Sequence, residues 1–159
     1  MSRQKWREVF REAANGLEFA SVELDETASC AIRSDRPGVP EIHLAYDERG
    51  DVVHLFAEIG YVPEDDKDLY REFLQDNLFG EKTRGAVFAV VRTTGKVALQ
   101  RALPVRDIED GKAFAAVLVD FTEVACEACR RLFRSVLPSE SSDGAEASGA
   151  AGDDAFLRI

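Results

Sequence analysis

At 159 residues the chain has the length of a single domain, and a domain of that size buries roughly 70% of the surface its unfolded chain exposes. Hydrophobic residues at 45% and aromatics at 9% are those of a globular protein, not a disordered one, and no run approaches the roughly 18 consecutive apolar residues of a membrane span. The formal charge of −10 repels phosphate backbones and anionic bilayers, which argues against DNA, RNA or a membrane as the main partner and suits a neutral or basic polypeptide.

The first predicted element is a helix over Arg3 to Leu17. Trp6, Val9, Phe10, Ala13 and Leu17 recur at helical spacing, with most of the charged residues elsewhere. Asn15-Gly16 is its stop signal. This opening segment has no apolar signal-peptide region, so the expected location is the cytoplasm. Cys30, Cys126 and Cys129, an odd number in a chain long enough to need no staples, are expected as free thiols.

From Ala28 to Tyr61 the pattern is β. Ala28, Cys30 and Ile32 alternate with Ser29, Ala31 and Arg33, and a turn-rich stretch follows at Ser34 to Gly38. Ile42, Leu44 and Tyr46 then alternate with Glu41, His43 and Ala45, and Asp47 to Gly50 reads as a hairpin loop. The strand from Val52 to Ile59 is apolar on both faces and is expected at the centre of a sheet. Pro63-Glu64-Asp65-Asp66 is read as the first turn of a second helix, ending at Phe79 before Gly80, with Leu69, Phe73, Leu74 and Leu78 on its inner face.

Two further strands, Ala86 to Val91 and Lys96 to Leu103, are joined by a connector short enough for a hairpin. A long helix runs from about Glu109 to Leu137. Its first half is apolar almost all round and is expected to be buried, and its second half is amphipathic with arginines outward. Residues 138–159 lack large apolar side chains until Phe156-Leu157-Arg158-Ile159 and read as a flexible acidic tail with an apolar tip, a docking motif or self-contact if it has a role at all. The order α-β-β-β-α-β-β-α with antiparallel hairpins predicts an α+β domain over residues 1–137.

No residue set here asks for catalysis. His43 and His54 lie in predicted strands, and no nucleophile elbow, phosphate loop or dinucleotide fingerprint occurs. Cys126 and Cys129 form a C-x-x-C inside a helix, not at the helix N-terminus where a redox pair gains from the dipole, and zinc would need two more ligands. The acids Glu64, Asp65, Asp66 and Asp68 lack calcium-loop spacing. The expectation is a protein that holds another protein, with no cofactor and no metal.

Three strings carry a resemblance. Leu55-Phe56-Ala57-Glu58-Ile59-Gly60-Tyr61-Val62-Pro63 looks like an apolar strand closed by glycine and proline. Phe73-Leu74-Gln75-Asp76-Asn77-Leu78-Phe79-Gly80 looks like a helix end before a loop. Ala98-Leu99-Gln100-Arg101-Ala102-Leu103-Pro104 looks like a strand ending Leu-Pro before a long helix. In this order and spacing they resemble the class I chaperones of type III secretion, the Tir-chaperone (CesT-like) family, over about Arg3 to Leu137. The tail after Pro138 and the loop from Ser34 to Pro40 are longer than that pattern.

The resemblance implies a homodimer that holds the N-terminal segment of a secreted effector in extended form, with the first helix and first three strands as the binding face. Val9, Phe10, Ile32, Ile42, Leu44 and Phe56 are the candidate partner-binding residues, each of which the pattern equally allows as plain core. Phe73, Asn77, Val87, Phe88 and Val91 are the candidates for the dimer interface. The alternative is a chaperone-like regulator that binds a folded partner.

Overall fold

The structure, a computed structural model, describes residues 3–17 and 22–136. The tail at 138–159 lies outside them. The elements are α1 (Arg3–Gly16), β1 (Ser29–Ile32), β2 (Ile42–Asp47), β3 (Val52–Gly60), α2 (Lys67–Asp76), β4 (Val87–Val90), β5 (Val97–Pro104), a 3₁₀ turn at Val105–Asp107, and α3 (Gly111–Val136). The five strands form one antiparallel sheet in the order β1-β2-β3-β5-β4. The α+β reading and the central position of β3 both hold.

Alternation decides the layers. Ile42, Leu44 and Tyr46 of β2 and Val53, Leu55, Ala57 and Ile59 of β3 are buried, and their neighbours along each strand turn the other way. The helices pack on that buried face. Trp6 of α1 is fully buried and meets Phe114 of α3 edge-on at 4.9 Å between ring centroids, with Tyr46 of β2 at 6.1 Å. Phe121 and Leu118 extend this core along α3. Each large apolar side chain so buried contributes about 1.5–3 kcal/mol.

The start of α3 is fitted to α1. Asp110 caps it, accepting from Ala113 N at 2.7 Å. Gly111 N donates to Oε2 of Glu12 on α1 at 3.1 Å. A Cβ on Gly111 would lie 2.4 Å from Glu12 Cβ and 2.8 Å from the backbone nitrogen of Ala13, so the two helices approach closely only because this residue has no side chain. Gly111→Ala is therefore expected to cost at least about 1 kcal/mol by forcing α1 off α3, read as a lower midpoint in a denaturant titration. An unchanged midpoint would show that the helices separate freely.

Three expectations need correction. First, α2 begins at Lys67, not at Pro63. Asp66 is its N-cap, accepting from Leu69 N at 2.9 Å, and Pro63 to Asp66 is a separate turn closed by a 3.0 Å bond from Asp66 N to Pro63 O. The helix is thus shorter, and it also stops at Asp76. Leu69 and Phe73 face inward as expected, but Leu74 and Leu78 face solvent. Second, the first half of α3 is not buried all round, since Val119 is exposed along with Ala116. Third, Arg131 does not point outward with the other arginines of α3. Its guanidinium lies over the Phe73 ring at 4.8 Å and the Phe88 ring at 5.8 Å and bonds Asp76 at 2.6 Å, so it joins α3 to α2 and β4.

Candidate protein-interaction site

Among the described residues, two surfaces at opposite edges of the sheet have nothing packed on them. The first surrounds β4. Leaving α2, the chain makes a loop that requires left-handed backbone at Phe79 (φ 60°) and Gly80 (φ 68°). A bulky residue rarely adopts that conformation, and here it holds Phe79 out at 89% exposure. Leu74 at 68%, Leu78 at 65% and Val90 at 55% are exposed on the neighbouring elements, while Val87, at 44%, turns to the other face of the sheet. Beneath them Phe73 and Phe88 are buried with ring centroids 4.6 Å apart.

Asn77 serves the protomer itself. Its Nδ2 donates to Phe88 O at 3.0 Å and its Oδ1 accepts from Phe88 N at 2.7 Å, so one side-chain amide takes the place of a neighbouring strand on β4. Ala86 N donates to Thr83 O at 3.0 Å just before it. This edge is therefore closed to strand addition at Ala86 and Phe88, and what it offers is side chains. Of the expected interface residues, Val87 is exposed, Val91 is half-buried, Asn77 is half-buried in the amide clamp, and Phe73 and Phe88 are core. Leu74, Leu78, Phe79 and Val90 are exposed nearby and were not among the expected residues. Leu78 lies beyond the end of α2, and Leu74 lies within it but off the buried stripe of Leu69 and Phe73.

Under this surface sits an ion cluster. Asp76 is buried and accepts from Arg131 at 2.6 Å and Lys82 at 3.0 Å. Burial pushes its carboxyl up, but the hydrogen bonds from Lys82 and Arg131 outweigh this and hold it below the usual carboxylate value. A carboxylate depressed in the folded state contributes stability that is fully present above its unfolded value and is lost as pH falls through the folded one. Asp76→Asn should lower the melting temperature at neutral pH and flatten its fall between about pH 5 and pH 3. Thermal melts across that window check this, and parallel curves for the two proteins would remove Asp76 from the acid response.

The second surface belongs to β1 to β3. Cross-strand pairing aligns Ala31, His43, Phe56, Gln100 and Val87 in one row across the helix-free face, with Ser29, Ala45, His54 and Ala102 in the next. Ala31, His43, Ala45, His54, Gln100 and Ala102 are exposed and Phe56 is half-buried. Short side chains at Ser29, Ala31 and Ala45 leave a depression of about 370 Å³ beside His43, His54 and Phe56. His43 and Phe56 stand 6.1 Å apart, ring to ring.

The β1 edge is partly open. Ser29 N donates to Asp25 Oδ1 at 2.9 Å, and Asp25 N donates to Ser29 O at 2.8 Å, so the backbone of Ser29 faces away from β2 and is satisfied locally. The bonds from Ser29 and Thr27 hold the Asp25 carboxyl below its usual value. By the alternation of an antiparallel ladder, Ala31 also turns its N–H and C=O outward, and among the described residues no strand lies beyond β1. Of the expected partner-binding residues, Val9, Phe10, Ile32, Ile42 and Leu44 are buried in the core. Only Phe56 reaches this surface. The missed residues are its row-mates, whose polar or small side chains carried no hydrophobic signal.

Nothing in the titratable groups resembles an activated nucleophile. Burial raises all three thiols, Cys30 to about 12 and Cys129 to about 11, the opposite of the shift that makes a cysteine reactive. Among the described residues no group of three or more His, Cys, Asp or Glu could hold a metal, and no helix is long and apolar enough to cross a membrane.

Comparison with solved structures returns the same architecture. A chain of the HopA1–SchA chaperone–effector complex superposes with a TM-score of 0.65 at 15% identity, covering 82% of this chain and 97% of that one. A chain of the ExsC–ExsE complex gives 0.65 at 20% identity, with 82% and 95% covered. A chain of the Yersinia pestis complex of the type III secretion chaperone SycH with a stable fragment of YscM2 gives 0.60 at 22%, with 77% and 98% covered. At such identities the likeness is one of fold. No curated protein matches the chain in sequence. The model of the Tir chaperone protein (CesT) family matches residues 10–128, most of the folded part, and the chain belongs to that family.

Proposed function

We propose that the protein is a type III secretion chaperone that forms a homodimer and holds the N-terminal segment of a secreted effector in extended form. The observation that carries this reading is the pair of unpartnered surfaces on one small domain. The exposed Leu74, Leu78, Phe79 and Val90 around α2 and β4 are apolar and the β4 edge is closed at Phe88 by Asn77, which suits side-chain packing against a second copy. The opposite edge offers the outward backbone of Ala31 beside a shallow face with Phe56, which suits an extended peptide adding as a strand.

Val9, Phe10, Ile32, Ile42 and Leu44 then act from below, fixing the curvature of the binding face. Held this way, an effector segment is kept unfolded and its apolar side chains are kept from aggregating. Family membership and the chaperone complexes of like fold support the same reading.

Light scattering on the purified protein, alone and co-expressed with an effector's N-terminal segment, tests it. A particle of twice the 17.6 kDa chain mass that gains one segment is expected. A monomer that leaves the segment unbound would overturn both parts of the proposal.

A further inference from the structure

Strand β4 is shorter than the strand it pairs with. It begins at Val87, opposite Gln100, whereas β5 runs on to Pro104. The alternation that aims the N–H and C=O of Phe88 at Asn77 aims those of Arg101 at β3 and those of Ala102 out past the start of β4. A longer ladder would set Gly85 opposite Ala102, but the chain turns away there. Arg84 and Gly85 are both left-handed, at φ 51° and 83°, and the Gly85 N–H goes to Gly80 O at 2.9 Å. The Arg84 side chain reaches across to Asp120 and Glu123 of α3. Among the described residues no backbone bond meets Ala102 on this side, so one donor and one acceptor of the sheet edge stand open.

Beside that backbone lies a pocket of about 290 Å³, lined by Gly85, Arg101, Leu103, Pro104, Ile108 and Val117. Arg101 is half-buried on the helix side of β5, and a Cβ on Gly85 would lie 3.6 Å from its Nη2. Unlike Arg84 and Arg131, it has no hydrogen bond or ion pair among the described residues, and none of its nitrogens is sealed from solvent. Burial lowers its pKa, against an opposing pull from Asp120, which Arg84 already holds. An arginine that has lost hydration without gaining an acceptor favours an anion. Asp107 is the one acid in the lining, largely exposed and paired with Arg106 at 3.7 Å.

We propose that this pocket takes the C-terminus of a partner polypeptide, laid antiparallel to β5 and end to end with β4. The terminal residue lies opposite Ala102, donating its N–H to the Ala102 carbonyl, and its carboxylate accepts from the Ala102 N–H and from Arg101. The residue before it lies opposite Leu103, and by alternation turns an aliphatic side chain to Leu103, Ile108 and Val117. Ala86 already stands before Val87, so a strand added here has to stop at Ala102. A chain end can stop there, and it brings the charge that Arg101 lacks. The site needs neither the homodimer nor an extended effector segment, and so goes beyond the proposed function.

N-acetyl-leucyl-glycine is the probe, titrated into the isotopically labelled full-length protein and followed by NMR at the Ala102 amide and the Arg101 Nε–H. Saturable shifts at both are expected, with a dissociation constant on the order of 1 mM, a modest efficiency for a ligand of this size. N-acetyl-leucyl-glycinamide, which has no charge, should bind about tenfold more weakly. N-acetyl-glycyl-leucine, which puts the aliphatic side chain on the other face of the sheet, should also lose about tenfold. Arg101→Gln should weaken the probe about tenfold, with a thermal melt to establish the fold. Asp107→Asn, at an exposed position, should tighten it about two- to threefold by removing a like charge.

Equal affinity for the acid and the amide would overturn the proposal, as would native affinity in a folded Arg101→Gln protein. Equal binding of the two acetylated dipeptide acids would overturn the strand-like placement. Tighter binding of the α-amide of N-acetyl-leucyl-aspartate would overturn the terminal reading, and would give the pocket to an acidic side chain within a chain.

Discussion

In the proposed homodimer, Phe79→Asp is expected to convert dimer to monomer without unfolding the protomer. In a two-fold symmetric interface each substitution acts twice. Removing two buried phenylalanines at about 1.5–3 kcal/mol each weakens association by roughly 3–6 kcal/mol, or about 10²- to 10⁴-fold in the dissociation constant. The protomer should be indifferent. Phe79 is 89% exposed, so it contributes little to the core. Its φ of 60° also suits aspartate better than phenylalanine, because a short polar side chain tolerates left-handed backbone. Light scattering at micromolar concentration reads the mass, and a thermal melt reads the fold. A variant that keeps the native mass and dissociation constant would take this loop out of the interface.

The prediction turns on a residue whose importance was not visible in the chain order alone. Periodicity places Leu69, Phe73, Leu74 and Leu78 on one helical stripe, and the stripe is real for the first two. It fails for Leu78, which lies beyond the end of α2 at Asp76, and for Leu74, which five residues on from Leu69 stands about 140° round the helix from it. Asp76 is drawn inward by Arg131 and Lys82, and Asn77 is committed to the backbone of Phe88. The first of these joins residues 55 apart in the chain, and the other two lie across the loop between α2 and β4. No local pattern encodes them, and they decide where α2 ends.

The same limit explains Arg131, whose place on an arginine-rich helix face suggests solvent and whose actual place is over two aromatic rings. By contrast, the strands themselves, the hairpins and the inward rows of β2 and β3 were legible, because period-2 alternation is a local property and a one-residue slip would bury His43 and His54. The proposed binding face was legible only as a region. Its apolar members, Val9, Phe10, Ile32, Ile42 and Leu44, are what a sequence advertises, and they are the floor of the surface. The surface itself is made of alanines, histidines and outward backbone, which no hydrophobicity pattern marks.

That backbone can be tested directly. Ala31→Pro is expected to leave the fold and the proposed dimer intact and to weaken the proposed strand addition of an effector segment by about 5- to 150-fold. The N–H of Ala31 faces away from β2, so proline removes no bond of the β1–β2 ladder, and edge strands are where a sheet tolerates proline. An incoming strand would lose its donor at the centre of β1 and leave a buried carbonyl unpaired, which costs about 1–3 kcal/mol and gives the stated range. Titration of the co-purified segment by calorimetry, with circular dichroism to establish the fold, separates the outcomes. Native affinity in the proline variant would exclude strand addition at β1. Binding would then rest on side chains of the open face, and Phe56→Asp would be the substitution that abolishes it.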